Sequence, residues 1–273
     1  MTARSLIACS RMYNVAPVVT EAWDRLFGWL GERARIDLNV IYHAFPTSIE
    51  ELWAMPGLGC VLMCGYPYAR AEPRPGLLAA PVPSFEHYGG KPVYFSYLLV
   101  AEESPFETIE DTFGSCISWT IENSQSGFNA VRSFLLPYRT ADRPRLYRES
   151  IGPLGTFSVG IEGISRGEID VVPVDSFSYE LMREYAPEDV AGTRIIATTP
   201  AAPVPPLVAG HDADPDVTDR LRAALHEVHE MPELAEALAV MKISRFVPVT
   251  PEYYETTLEQ AAEAVAAGYS QPS

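Results

Sequence analysis

Two hydroxyls and a glycine stand together at Ser124-Gln125-Ser126-Gly127, inside "SWTIENSQSGFNA" (residues 118–130), a stretch with no positive charge. An apolar run ending near Ile121 precedes them, and Phe128, Val131, Phe134 and Leu135 follow at helical spacing. A strand-to-helix junction of this kind offers unpaired amides and a partial positive charge at the start of the helix. The serines add donors and the glycine lets the backbone come close, so a small anion is held there without a lysine. The same residues equally suit a helix that Ser124 simply caps. The local pattern leaves both readings open.

A second pairing has enzymatic chemistry in it. Cys9 ends the first apolar run and His43 follows the second, so adjacent strands bring a thiol and an imidazole together. A thiolate held by a histidine is a nucleophile. Apolar residues flank Cys9, however, and a buried, inert thiol fits the same sequence. Arg11 follows the first strand and suits either a ligand anion or an acidic neighbour. Tyr13, Tyr66 and Tyr68 fall just after strand ends, where aromatic walls of a binding cleft or plain packing account for them. Asp175 opens a helix on the side where a ligand would bind, whereas Asp170 suits a turn or cap. His226 and His229 have ligand spacing, but Leu221, Ala224, Leu225 and Val228 form the apolar face, so both histidines are expected in solvent. Cys60 and Cys64 lack a second pair to complete a metal site. Neither a Walker motif nor Gly-x-Gly-x-x-Gly occurs. No cofactor and no metal are expected.

Composition narrows the partners. The 273 residues carry 20 basic and 36 acidic side chains, a formal net charge of −16. No basic stripe is available to neutralise nucleic-acid phosphates or an anionic membrane. No window has transmembrane length, so membrane insertion is not expected. The N-terminal apolar run is short for a secretion signal. As written, the chain reads as cytoplasmic, or as periplasmic if an export signal has been removed.

Short apolar runs alternate with helical patterns, which predicts an α/β fold with mostly parallel sheets flanked by helices. Strands are expected at Ser5–Ser10, Leu38–Tyr42, Gly59–Met63, Val93–Val100, Cys116–Ile121, Ile169–Val174, Arg194–Thr198 and Pro206–Ala209. Helices are expected from Pro17 to about Leu30, at Ile49–Met55, Ser104–Phe113, Ser126–Leu136, Phe157–Ser165, Phe177–Tyr185, 215–229, 232–241 and 251–267. The Pro- and Gly-rich residues 71–92 read as loop with a short strand near the end. The extended segments "VYFSYLLV" and "RIIATTPAAPVPPLV" bracket about a hundred residues with their own βαβ pattern. That predicts lobe one from 1–97 and 201–273 and an inserted lobe two from 98–200, closing on a ligand between them.

With those segments in view, the chain resembles the phosphonate-binding branch of the type 2 periplasmic binding proteins, the solute receptors of ABC transporters. "VYFSYLLVAEESPFETIEDTFGSCISWTIENSQSGFN" is similar to that family's crossover, helix and serine-rich anion loop, and "IEGISRGEIDVVPVDS" to its later helix and strand. The resemblance implies anion contacts from Ser124, Gln125, Ser126 and Gly127, a wall contact from Tyr94 and polar contacts near Asp175. Thr156 stands in Gly155-Thr156-Phe157, where the family often has Gly-Ser-His. With that histidine gone, a phosphonate, phosphate, sulfonate or carboxylate ligand remains open. An ABC permease is the implied partner. Desulfinases and menaquinone-pathway enzymes share the fold, which keeps catalysis by Cys9 and His43 as the alternative, beside a cytoplasmic ligand sensor.

Overall fold

The computed structural model describes residues 5–273. Met1–Arg4, part of the run read for a secretion signal, lie outside the described residues. The first strand, β1 (Leu6–Cys9), leads to α1 (Pro17–Ala34), then β2 (Leu38–Val40), α2 (Ile49–Trp53), β3 (Leu58–Leu62), α3 (Gly65–Arg70), β4 (Gly76–Pro83) and β5 (Val93–Tyr94). The middle of the chain forms β6 (Ser96–Ala101), β7 (Cys116–Ser118), a π-helical turn (Gln125–Asn129) running into α4 (Ala130–Leu135), and β8 (Glu149–Ile151). It continues through α5 (Phe157–Ser165), β9 (Val172–Asp175), α6 (Ser176–Tyr185), β10 (Thr193–Thr198) and β11 (Ala202–Pro203). Last come β12 (Leu207–Ala209), α7 (Pro215–Glu227), α8 (Ala235–Met241), β13 (Ile243–Val247) and α9 (Glu255–Ala266).

Two compact units result. The first runs to Val93 and resumes at Pro203–Tyr254; the second comprises Tyr94–Ala202 and Glu255–Ser273. The sequence reading assigned the last segment to lobe one, whereas α9 and the residues after it pack with the second unit. The cause is side-chain chemistry: Tyr269 is fully buried among Leu98, Ile117, Val131 and Leu135, a cluster belonging wholly to the second unit.

In the first unit the sheet order is β13-β4-β12-β3-β1-β2. Only β1 pairs in parallel, with β2 and with β3, while β12 and β13 run antiparallel to their neighbours. In the second unit β10-β6-β9 is antiparallel and β7–β8 parallel. The sheets are therefore mixed rather than mostly parallel. Helix α1 shows how pattern becomes packing. Proline at its first position pre-sets the backbone, and Val19, Trp23, Leu26, Phe27 and Leu30 on one face are fully buried. Arg35, in a left-handed conformation, ends it.

Two local expectations fail for identifiable reasons. Residues 76–83 form an eight-residue strand despite Pro81 and Pro83, because the alanines and leucines there bury fully between β12 and β13. Strand β13 had no counterpart in the sequence reading. The helix expected over Ser104–Phe113 shrinks to a single 3-10 turn at Glu110–Thr112, since the Asp111 carboxylate accepts from the amides of Glu107 and Thr108 and holds a turn instead.

Candidate functional site

In the second unit, Ser124 starts the helical run and its Oγ accepts from the Gly127 amide at 2.9 Å. The capping role is thus real. It uses the third amide of the turn and leaves those of Gln125 and Ser126 among the first-turn donors that no helical carbonyl accepts. The Ser126 hydroxyl, on a nearly buried residue, takes up no hydrogen bond within the described residues. Behind the turn lies Thr120, which the sequence reading did not single out. Its amide donates to the Gly127 carbonyl at 3.3 Å, and its carbonyl accepts from Gly155 at 3.0 Å. Two helix starts therefore meet at one residue, because Gly155 precedes Thr156, the cap of α5. Thr156 Oγ1 accepts from Ser158 at 3.5 Å, a long contact. Thr120 Oγ1 is buried with no hydrogen-bond partner among the described residues. A hydroxyl so placed is a donor awaiting an acceptor.

Gly127 is required by this geometry. A Cβ there would lie 2.2 Å from Thr120 Oγ1 and 3.1 Å from Ser124 Oγ, so any side chain would displace the hydroxyls. Gly127 is expected from the sequence to allow close approach of the backbone; the residue it approaches in the fold is Thr120.

Gln125 does something other than line the seat. Its side chain is fully buried, donates to Gln260 at 2.7 Å and accepts from Asn129 at 2.8 Å. Asn129 also donates to the Thr257 carbonyl, and its Oδ1 accepts from Arg132, which is buried over the Phe128 ring. These contacts fasten the π-helical turn from behind, to α9. Only the backbone amide of Gln125, not its side chain, is left at the open start of the turn.

Asp175 ends β9 and caps α6, accepting from the Ser178 amide at 2.8 Å. Burial raises its carboxyl to about 7 despite that hydrogen bond. Tyr94 is buried at the strand that leads into the second unit. In the first unit Tyr13 is fully buried and Tyr66 nearly so, with the Arg70 guanidinium 5.2 Å from its ring centre. None of the three presents an open aromatic face.

Cys9 and the loop that carries His43 come together beyond the ends of β1 and β2. Burial raises the Cys9 thiol, against the amides of Arg11 and His43 that point at its sulfur. His43 Nδ1 accepts from Arg11 Nη1 at 2.5 Å. Burial, then the Arg11 charge, push His43 below the ordinary imidazole range. A neutral histidine occupied by an arginine stabilises no thiolate. His226, expected in solvent, is half-buried with Nε2 covered.

The arrangement is that of the type 2 periplasmic binding fold. The chain is similar in structure to the binding component of an ABC phosphonate transporter from Pseudomonas aeruginosa, with TM-score 0.80 and 14% identity over 97% of this chain and 88% of that one. PhnD1 from Prochlorococcus marinus, solved with methylphosphonate, gives 0.76 and 14% over 96% and 98%. The alkanesulfonate-binding protein SsuA from Xanthomonas axonopodis pv. citri, bound to MOPS, gives 0.62 and 14% over 98% and 95%. No curated protein matches. The family of ABC transporter phosphonate periplasmic substrate-binding proteins matches residues 13–254. The chain belongs to that family of substrate-binding proteins. Among the described residues, no helix is long and apolar enough to cross a membrane.

Proposed function

We propose that this chain binds a small anion for delivery to an ABC permease, holding the charged end at Ser124–Gly127. The carrying observation is the buried, unpartnered Thr120 hydroxyl set against the start of the helix. With the Ser126 hydroxyl and the amides of Gln125 and Ser126, it makes a group of donors without a formal charge. Such a group suits a tetrahedral oxyanion, whose oxygens accept several hydrogen bonds at once. Thr156 caps the second helix start, which the Gly155 amide ties to the Thr120 carbonyl. Family membership supports both the permease as partner and a periplasmic setting. The ligand class is a phosphonate, phosphate, sulfonate or carboxylate; phosphonate and sulfonate are the groups carried by ligands of the similar structures.

Calorimetry with methylphosphonate, inorganic phosphate, ethanesulfonate and acetate tests the reading. At least one should bind, and Ser126→Ala should weaken that binding by about 1–3 kcal/mol. A folded Thr120→Ala, Ser126→Ala double variant with native affinity for every bound anion would remove the seat from consideration.

A further inference from the structure

The loops after β1 and β2 hold a different arrangement, centred on a cation and wholly within the first unit. Arginine only donates, so the Arg11–His43 contact makes Nδ1 an acceptor and fixes the imidazole as the neutral Nε2–H tautomer. Nε2 itself is buried without a partner among the described residues. Arg11 is half-buried, yet none of the described carboxylates stands within 4 Å of its guanidinium. Glu51 acts on the pair only at longer range, as does the Cys9 thiol on Arg11. In a chain with 36 acidic residues, a partly buried guanidinium paired with a neutral ring is a costly choice. The loop that carries His43 also exposes the rings of Tyr42, 77% accessible, and Phe45, 50% accessible.

We propose that Arg11 is an oxyanion receptor of the first unit, with His43 as the residue that aims its planar fork at a carboxylate or phosphate-type group. The remaining donors of the guanidinium form a flat edge that matches such a group with two parallel hydrogen bonds. Tyr42 and Phe45 supply apolar surface on the same loop for an organic body attached to the charge. The competing account is a brace, in which Arg11 only ties the two loops together. A brace loses stability when cut, whereas a receptor loses its response to anions. The inference rests on the first unit alone and stands whether or not Ser124–Gly127 holds an anion.

The test follows the ring nitrogens of His43 by long-range proton–nitrogen NMR on the full chain, titrated separately with sodium acetate and inorganic phosphate. Either anion should shift the His43 signals in the native protein and equally in a Ser124→Ala, Ser126→Ala variant. Acetate and phosphate together distinguish a carboxylate receptor from a phosphate one. The shift should vanish in Arg11→Met. Arg11→Lys, which keeps the charge but not the fork, should weaken the response at least tenfold and serves where the methionine variant does not fold. His43→Asn, which keeps an acceptor facing Arg11, should retain anion binding by calorimetry, and His43→Ala should lose at least tenfold. His43 signals unmoved by both anions, or an undiminished shift in Arg11→Met or Arg11→Lys, would overturn the proposal.

Discussion

Gln125 donates its side-chain amide to Gln260 across 2.7 Å, joining the turn that carries the serine pair to the final helix. Both residues are polar, yet Gln125 is fully buried, so each hydrogen bond it makes replaces one to water. Replacing Gln260 by alanine should destabilise the protein by about 1–3 kcal/mol, because it strands a buried amide. Chemical denaturation of Gln260→Ala, Gln125→Ala and the double variant checks this. Additive losses would show that the contact couples nothing.

Gly127→Ala should be the most disruptive small change at the seat. Its Cβ meets Thr120 Oγ1 and Cγ2 at 2.2 and 2.9 Å, and relieving that overlap costs about 1–3 kcal/mol. Adding Thr120→Ala removes both offending atoms and should restore much of the thermal midpoint without restoring anion affinity. A Gly127→Ala protein with native melting and native affinity would contradict this packing.

The raised carboxyl of Asp175 makes a pH prediction. An unfolded aspartate titrates near ~3.9, the folded one at about 7. Between those values the folded chain holds the proton and the unfolded chain releases it. The contribution of Asp175 to stability is therefore full below the lower value and lost as pH rises through the upper one. Asp175→Asn, which can still cap α6, should be more stable than the native protein by about 1–3 kcal/mol near pH ~8, and the gain should shrink towards pH ~5. Denaturation across that range decides it; a constant difference between the two proteins would mean the carboxyl is not raised.

Cys9 should resist alkylation. With a raised thiol and no exposed area, iodoacetamide at neutral pH should label it only in denaturant. Rapid labelling of the folded protein, blocked by a bound anion, would favour the catalytic alternative.

Much of this was legible in the sequence where periodicity and burial agree. Helix α5 begins and ends where its pattern does, and α1 buries the face its spacing marks except at Val18, which is exposed. The serine-rich junction announced itself through residue types alone, because caps and glycines are local signals. Partners from distant segments were not legible. Thr120 matters because Gly127 and Gly155 both bind its backbone, and Gln125 points away from the seat because Gln260, 135 positions later, waits behind it. Proline counting hid β4, since long-range pairing with β12 and β13 overrode local propensity. His43 could be placed beside Cys9 from strand order, but Arg11 as its partner required the actual loop geometry.

The return of residues 255–273 to the second unit has a consequence for synthesis. A chain growing from its N-terminus has every residue of the first unit once Tyr254 is made. The second unit, although most of it is made earlier, still lacks the carbonyl of Thr257, the side-chain oxygen of Gln260 and the ring of Tyr269. Until those are translated, Gln125 and Asn129 have no distant partners and the cluster around Val131 and Leu135 has an open side. In the order of synthesis, the half that carries the serine pair therefore receives its last residues after the other half has received all of its own.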